Sequence, residues 1–141
     1  MTMAQLTPYL SFNGNCAEAM RFYERVFNGK LETLLTNGES PVAEHCPPGN
    51  DNRIMHAYLT FEGTALMAGD AYSNEAYEPM KGFSVALNYE TAEKAQRVFD
   101  DLSEGATVTM PFSPAFWAEG FGMLTDRYGT PWIINGGMKP V

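Results

Sequence analysis

Basic residues are scarce in this chain, nine Lys and Arg against seventeen Asp and Glu, and they stand singly rather than in clusters. A net charge of -8 repels nucleic acid and anionic membrane surfaces at long range, so neither is an expected partner. Cysteine is nearly absent. Cys16 and Cys46 form no C-x-x-C pair and sit in different settings, one in a helical pattern and one in a proline-rich loop. They are read as two free thiols. No apolar run approaches the roughly 20 residues that cross a bilayer. The opening Met1-Thr2-Met3-Ala4-Gln5 lacks the basic and then apolar pattern of an export signal, so a cytoplasmic location is expected. Missing too is a glycine-rich turn between a strand and a helix, the mark of a nucleotide or methyl-donor site in doubly wound folds.

What is present is apolar and aromatic: 45% and 13% of 141 residues, enough for one domain, 1–141, with a core of its own. Between Asn15 and Asn28, Ala19, Phe22, Tyr23, Val26 and Phe27 recur at helical spacing, with Asn15 and Glu18 placed like a capping box and Gly29 as a stop. Ala92, Ala95, Val98, Phe99 and Leu102 repeat the stripe between Thr91 and Glu104, with Thr91 as cap and Gly105 as stop. A shift of 76 residues lays Arg21 on Arg97, Tyr23 on Phe99 and Gly29 on Gly105, and puts Pro8 on Ser84. A shift of 66 lays Glu62-Gly63-Thr64 on Tyr128-Gly129-Thr130 and Met67 on Ile133. The chain therefore reads as an α+β fold of two βαβββ modules, about 6–70 and 83–137. Strands are expected at 6–12, 30–36, 54–62 and 64–70, then at 83–89, 106–112, 119–126 and 131–135. The proline-bearing loop 37–53 and the segment 72–82 are candidate lids.

Certain stretches resemble a known family. Pro8-Tyr9-Leu10-Ser11-Phe12-Asn13-Gly14-Asn15-Cys16, Phe22-Tyr23, Cys46-Pro47, Phe116-Trp117-Ala118 and Phe121-Gly122-Met123-Leu124-Thr125-Asp126-Arg127-Tyr128-Gly129-Thr130-Pro131-Trp132-Ile133-Ile134-Asn135 look like the PhnB-like branch of the vicinal oxygen chelate superfamily. That superfamily holds glyoxalases, dioxygenases and bleomycin-resistance proteins. The resemblance implies a glyoxalase-like domain and, as in similar proteins, a homodimer. Its metal-using members carry one ligand on the first and fourth strand of each half. Those positions carry over to Pro8, Met67, Ser84 and Ile133, of which only the serine has a donor atom. No metal and no cofactor is therefore expected. The branch has also carried a demethylubiquinone methyltransferase label, which the missing donor turn speaks against.

Strand alternation adds Leu10, Phe12, Ala65, Gly69, Ala86, Asn88, Pro131 and Asn135 to the face of those four positions, a mainly apolar lining. The residues expected to meet a small-molecule ligand are Phe12, Met67, Ser84, Asn88, Ile133 and Asn135, with Phe116, Trp117 and Phe121 as an aromatic wall. The three aromatics lie in a connection between strands, where they either stack on a ligand or pack between subunits. His56, on a predicted strand, and His45 and Cys46, in the first loop, are the candidates for acid–base work or, with Glu44, for an unusual metal site. A single strand histidine is more often structural, and adjacent residues seldom point at one centre. Asp126 reads as a turn residue rather than an acid. Two functions follow: a metal-independent small-molecule binding protein, or an enzyme using a displaced metal or a metal-free acid–base pair.

Overall fold

Two amphipathic stripes set the fold. Helix α1 (Cys16–Val26) buries Cys16, Ala19, Met20, Phe22 and Tyr23, and helix α2 (Ala92–Leu102) buries Ala95, Val98, Phe99 and Leu102. Each stripe needs an apolar sheet face to cover it, and each finds one in its own half of the chain. The computed structural model describes residues 4–41, 43–45 without the His45 side chain, and 48–140. It divides after Pro79 into two compact units.

In the first unit, β1 (Tyr9–Phe12), β2 (Lys30–Thr36), β3 (Ile54–Phe61) and β4 (Thr64–Asp70) form a sheet of order β1-β4-β3-β2. Strand β1 runs parallel to β4, as a helical crossover requires, and the other pairs are antiparallel. In the second, β5 (Val85–Tyr89), β6 (Thr107–Ala115), β7 (Ala118–Thr125) and β8 (Pro131–Met138) repeat the pattern as β5-β8-β7-β6. This is the expected pair of βαβββ modules. Leu10, Phe12, Ala57, Leu59, Leu66 and Ala68 fill the first core, and Leu124, Trp132 and Ile134 the second. Each helix lies on one face of its sheet, which leaves the other face open within the unit.

Three details of the sequence reading change. Asn15 precedes α1 but makes no side-chain cap. The capping group is Asp70, at the end of β4, whose Oδ1 accepts from the backbone N–H of Gly14 (2.7 Å) and Cys16 (3.0 Å) while Oδ2 accepts from Ile54 N–H (2.7 Å). A carboxylate at that end also suits the helix dipole. At the other end, Asn28 rather than Gly29 takes the left-handed backbone, at φ 53°. Gly29 is required because a Cβ there would sit 2.6 Å from the Thr60 carbonyl. Thr91 caps α2 as expected, through Lys94 N–H.

The third change is a slip of one residue. The helices match at an offset of 76, yet Tyr9 pairs with Met67 and Ala86 with Ile133, so β1 matches β5 at 77. Three residues, 13–15, join β1 to α1, whereas two, 90 and 91, join β5 to α2. Gly14, at φ 88° with open space around it, lies in the longer turn.

Candidate functional site

The open face of the second sheet gathers most of the residues expected to meet a ligand. Asn88, Asn135 and Phe121 are cross-strand partners on β5, β8 and β7, and Ala86, Ile133 and Met123 form the next row. Residues so paired point the same way and are neighbours, which brings distant parts of the sequence into one surface. Phe116 and Trp117 are the two residues of the β6–β7 turn, between the paired Ala115 and Ala118. The Trp117 ring meets Phe121 and Phe116 edge-on, each with centroids 4.8 Å apart. Phe121 is on β7, inside the strand expected at 119–126, rather than in the connection with Phe116 and Trp117.

Polar groups cross this face in a line. Trp117 Nε1–H donates to Asn135 Oδ1 at 3.0 Å, and Asn135 Nδ2–H donates to Asn88 Oδ1 at 3.0 Å. Asn135 is buried and Asn88 exposed. Ser84 precedes β5 and is exposed.

The first sheet's open face differs. Tyr9, Met67 and Tyr58 form its central row, and Ser11 and Gly69 the next pair. Met67 is there as expected, but Phe12 is not: only 1% of it is exposed, on the helix-covered side. The slip at Gly14 inverts the parity of β1, so Tyr9 and Ser11 take the places assigned to Pro8, Leu10 and Phe12. Gly69 leaves room for Tyr9, whose hydroxyl donates to Met55 O at 3.2 Å. The sequence holds one hint of this, the unequal spacing of the two strand-to-helix turns.

His56 is half-buried, and its ring stacks on Tyr9 with centroids 6.0 Å apart. Its imidazole makes no hydrogen bond among the described residues. His45 belongs to the short 3-10 turn Ala43–His45; its side chain, and the whole of Cys46, lie outside the described residues. Glu44 is exposed on the same turn. Among the described residues no three of His, Cys, Asp and Glu converge as a metal site would need. Cys16, the first residue of α1, is fully buried, and burial, then the Asp70 charge, push its thiol far up.

Asp126 is a structural carboxylate. Its Oδ1 accepts from Tyr128 N–H (2.8 Å) and Thr130 N–H (3.1 Å), and its Oδ2 from Trp132 Nε1–H (2.8 Å), so it holds the β7–β8 turn. The first unit also has an open cleft of about 680 Å³ between the chain preceding β1, the α1–β2 turn and the β3–β4 hairpin. Of the residues expected from sequence on the lining face, Ala65 alone borders it. Its walls are mostly turn backbone and exposed polar side chains.

The comparisons with known proteins agree with this architecture. Residues 4–135 match the family model described as 3-demethylubiquinone-9 3-methyltransferase. Protein PA1353 from Pseudomonas aeruginosa is 43% identical and superposes with a TM-score of 0.86, over 97% of this chain and all of that one. A protein from Bacillus cereus named a putative 3-demethylubiquinone-9 3-methyltransferase, PhnB protein, is 28% identical with a TM-score of 0.77, over 94% and 99% of the two chains. A glyoxylase/bleomycin resistance protein/dioxygenase domain from Frankia sp. EAN1pec shares the fold at 11% identity, with a TM-score of 0.68 over 99% and 96%. With two βαβββ modules, a family match over nearly its whole length and these relatives, the chain belongs to the PhnB-like branch of the vicinal oxygen chelate superfamily.

Proposed function

We propose that this protein binds a small, flat organic molecule on the open face of its second sheet, without the metal chemistry of its superfamily. The observation that carries the reading is the aromatic wall of Trp117, Phe121 and Phe116 beside the polar line from Trp117 to Asn88, on a floor of Ala86, Met123 and Ile133. Stacking surface with a few fixed polar groups is what orients a ligand. The four superfamily metal positions hold Pro8, Met67, Ser84 and Ile133. The register puts Tyr9 beside Met67 and Ala86 beside Ile133, so a phenol, with the Ser84 hydroxyl one row away, is all these positions offer, a poor donor set for a divalent cation. The two units are read as halves of one glyoxalase-like domain acting in the cytoplasm.

The family description names a methyl transfer. The two strand-to-helix turns, 13–15 and 90–91, hold one glycine between them, which argues against a donor site of the doubly wound kind. Sequestration, in the manner of a bleomycin-resistance protein, fits the face better.

The same reading makes the protein a homodimer. Phe116 is 75% exposed at the tip of the β6–β7 hairpin, and Val108 and Met110 are exposed on β6, the edge strand of its sheet. A second copy is the partner that would cover them.

A thermal-shift screen tests the binding function, because a ligand that prefers the folded state raises the melting temperature. Flat organic compounds should stabilise the protein, and divalent metal salts and S-adenosylmethionine should not. For each compound found, Trp117→Phe should weaken binding more than His56→Gln, with both variants folded by circular dichroism. If His56→Gln abolished binding or turnover while Trp117→Phe left it intact, the enzyme reading built on His56, His45 and Cys46 would replace this one.

A further inference from the structure

The polar line on the second sheet has a direction, and the direction selects a ligand. An indole N–H can only donate, so the atom of Asn135 that faces Trp117 must be its carbonyl oxygen. The Asn135 amide nitrogen is then the group that faces Asn88, which must answer with its own carbonyl oxygen. Both orientations are thereby fixed. Asn88 is left with its NH2 group, and it is exposed, with no further partner among the described residues. From this orientation we infer that the face is a donor site: it takes an uncharged, flat aromatic molecule bearing a hydrogen-bond acceptor oxygen, such as an aryl carbonyl compound, and disfavours an isostere that presents a donor. The inference rests on the binding function proposed above and adds the polarity of its ligand.

Geometry sets the size. Asn88 and Phe121 flank Asn135 from the strands on either side, two strand spacings apart, or about 9–10 Å. A fused system of two or three rings spans that distance, with one end against Trp117 and Phe121 and its oxygen at Asn88. The floor beneath it, Ala86, Ile133 and Met123, carries no charge, so nothing there neutralises a carboxylate. The net charge of -8 disfavours an anion further. An uncharged carbonyl oxygen is the acceptor that fits. The first unit has no counterpart of this line, because the pair equivalent to Asn88 and Asn135 is Ser11 and Gly69.

Three tricyclic probes of one shape make the test: fluorenone, which accepts, fluorene, which does neither, and carbazole, which donates. Binding to the full chain is followed by two-dimensional NMR through the Trp117 indole resonance and the Asn side-chain amides. Fluorenone should bind about tenfold more tightly than either of the others, the scale of one neutral hydrogen bond. Asn88→Asp is nearly isosteric and still accepts from Asn135, but it presents an acceptor outward. It should cost fluorenone that advantage and shift the preference toward carbazole. If all three probes moved the Trp117 resonance with equal affinity, and Asn88→Asp changed nothing, the donor polarity would be overturned and the binding face would stand. If none of them moved it, the binding face itself would fall, and the inference with it.

Discussion

Asp126 is the residue whose loss the second unit should tolerate least. Three N–H groups converge on a carboxylate that is 4% exposed, and hydrogen bonds to a charged acceptor are worth about 1.5–3 kcal/mol each before non-additivity. Asp126→Ala should therefore cost about 3 kcal/mol or more, and Asp126→Asn, which keeps one acceptor oxygen, clearly less. Urea denaturation of the two variants checks the order. Cys16 gives a prediction in pH. Its thiol is held above the ordinary range by burial first and by the Asp70 charge second. The folded protein thus keeps the proton more tightly than the unfolded chain. Stability from this group is complete below the unfolded thiol pKa of about 8.5, and it is lost as the pH rises beyond that. The urea midpoint should fall between pH 8 and pH 10, and Cys16→Ala should flatten the fall. An equal decline in both proteins would show that Cys16 has no part in it.

At the scale of elements, the seat of α2 is made by what β8 lacks. A Cβ at Gly136 would run into the Thr91 carbonyl and lie 2.6 Å from the Ala95 Cβ, both on or beside the helix. Gly136→Ala must push α2 outward, an overpacking that costs about 1–3 kcal/mol. Amide resonances of α2 should shift in that variant, while those of α1, on the other unit's sheet, should stay in place. Elements were also where the sequence was most legible. Both helical stripes and all eight strands lie within a few residues of their expected places, because amphipathic period and glycine stops are local signals. Register was less so. Phe12, expected on the ligand face, lies in the core, because one extra residue before α1 reverses the parity of the strand, and only the unequal lengths of the two strand-to-helix turns report it. The Asp70 cap was equally hidden: it reaches α1 from 54 residues away. In the second half, where the turn is shorter and the parity holds, alternation puts Asn88 and Asn135 on the face of Ile133, as their cross-strand pairing does, whereas the aromatic wall is legible only as large rings near a connection between strands.

For the molecule as a whole, the exposed hairpin tip predicts assembly. Sedimentation at micromolar concentration should give twice the mass of one chain, and Phe116→Ser should move the equilibrium toward the monomer. A monomeric wild type would remove the reason proposed for that exposed ring. The chain has only two tryptophans, and their settings could hardly differ more. Trp132 is 1% exposed and locked to Asp126, so its emission should be constant and blue so long as the second unit is folded. Trp117 is half-exposed, tethered through its nitrogen to Asn135 and flanked by two phenyl rings. Any guest that settles against that wall changes the polarity around one indole and leaves the other as an internal standard. The protein thus carries its own optical gauge, and Trp132→Phe and Trp117→Phe would separate the needle from the scale without any dye or label.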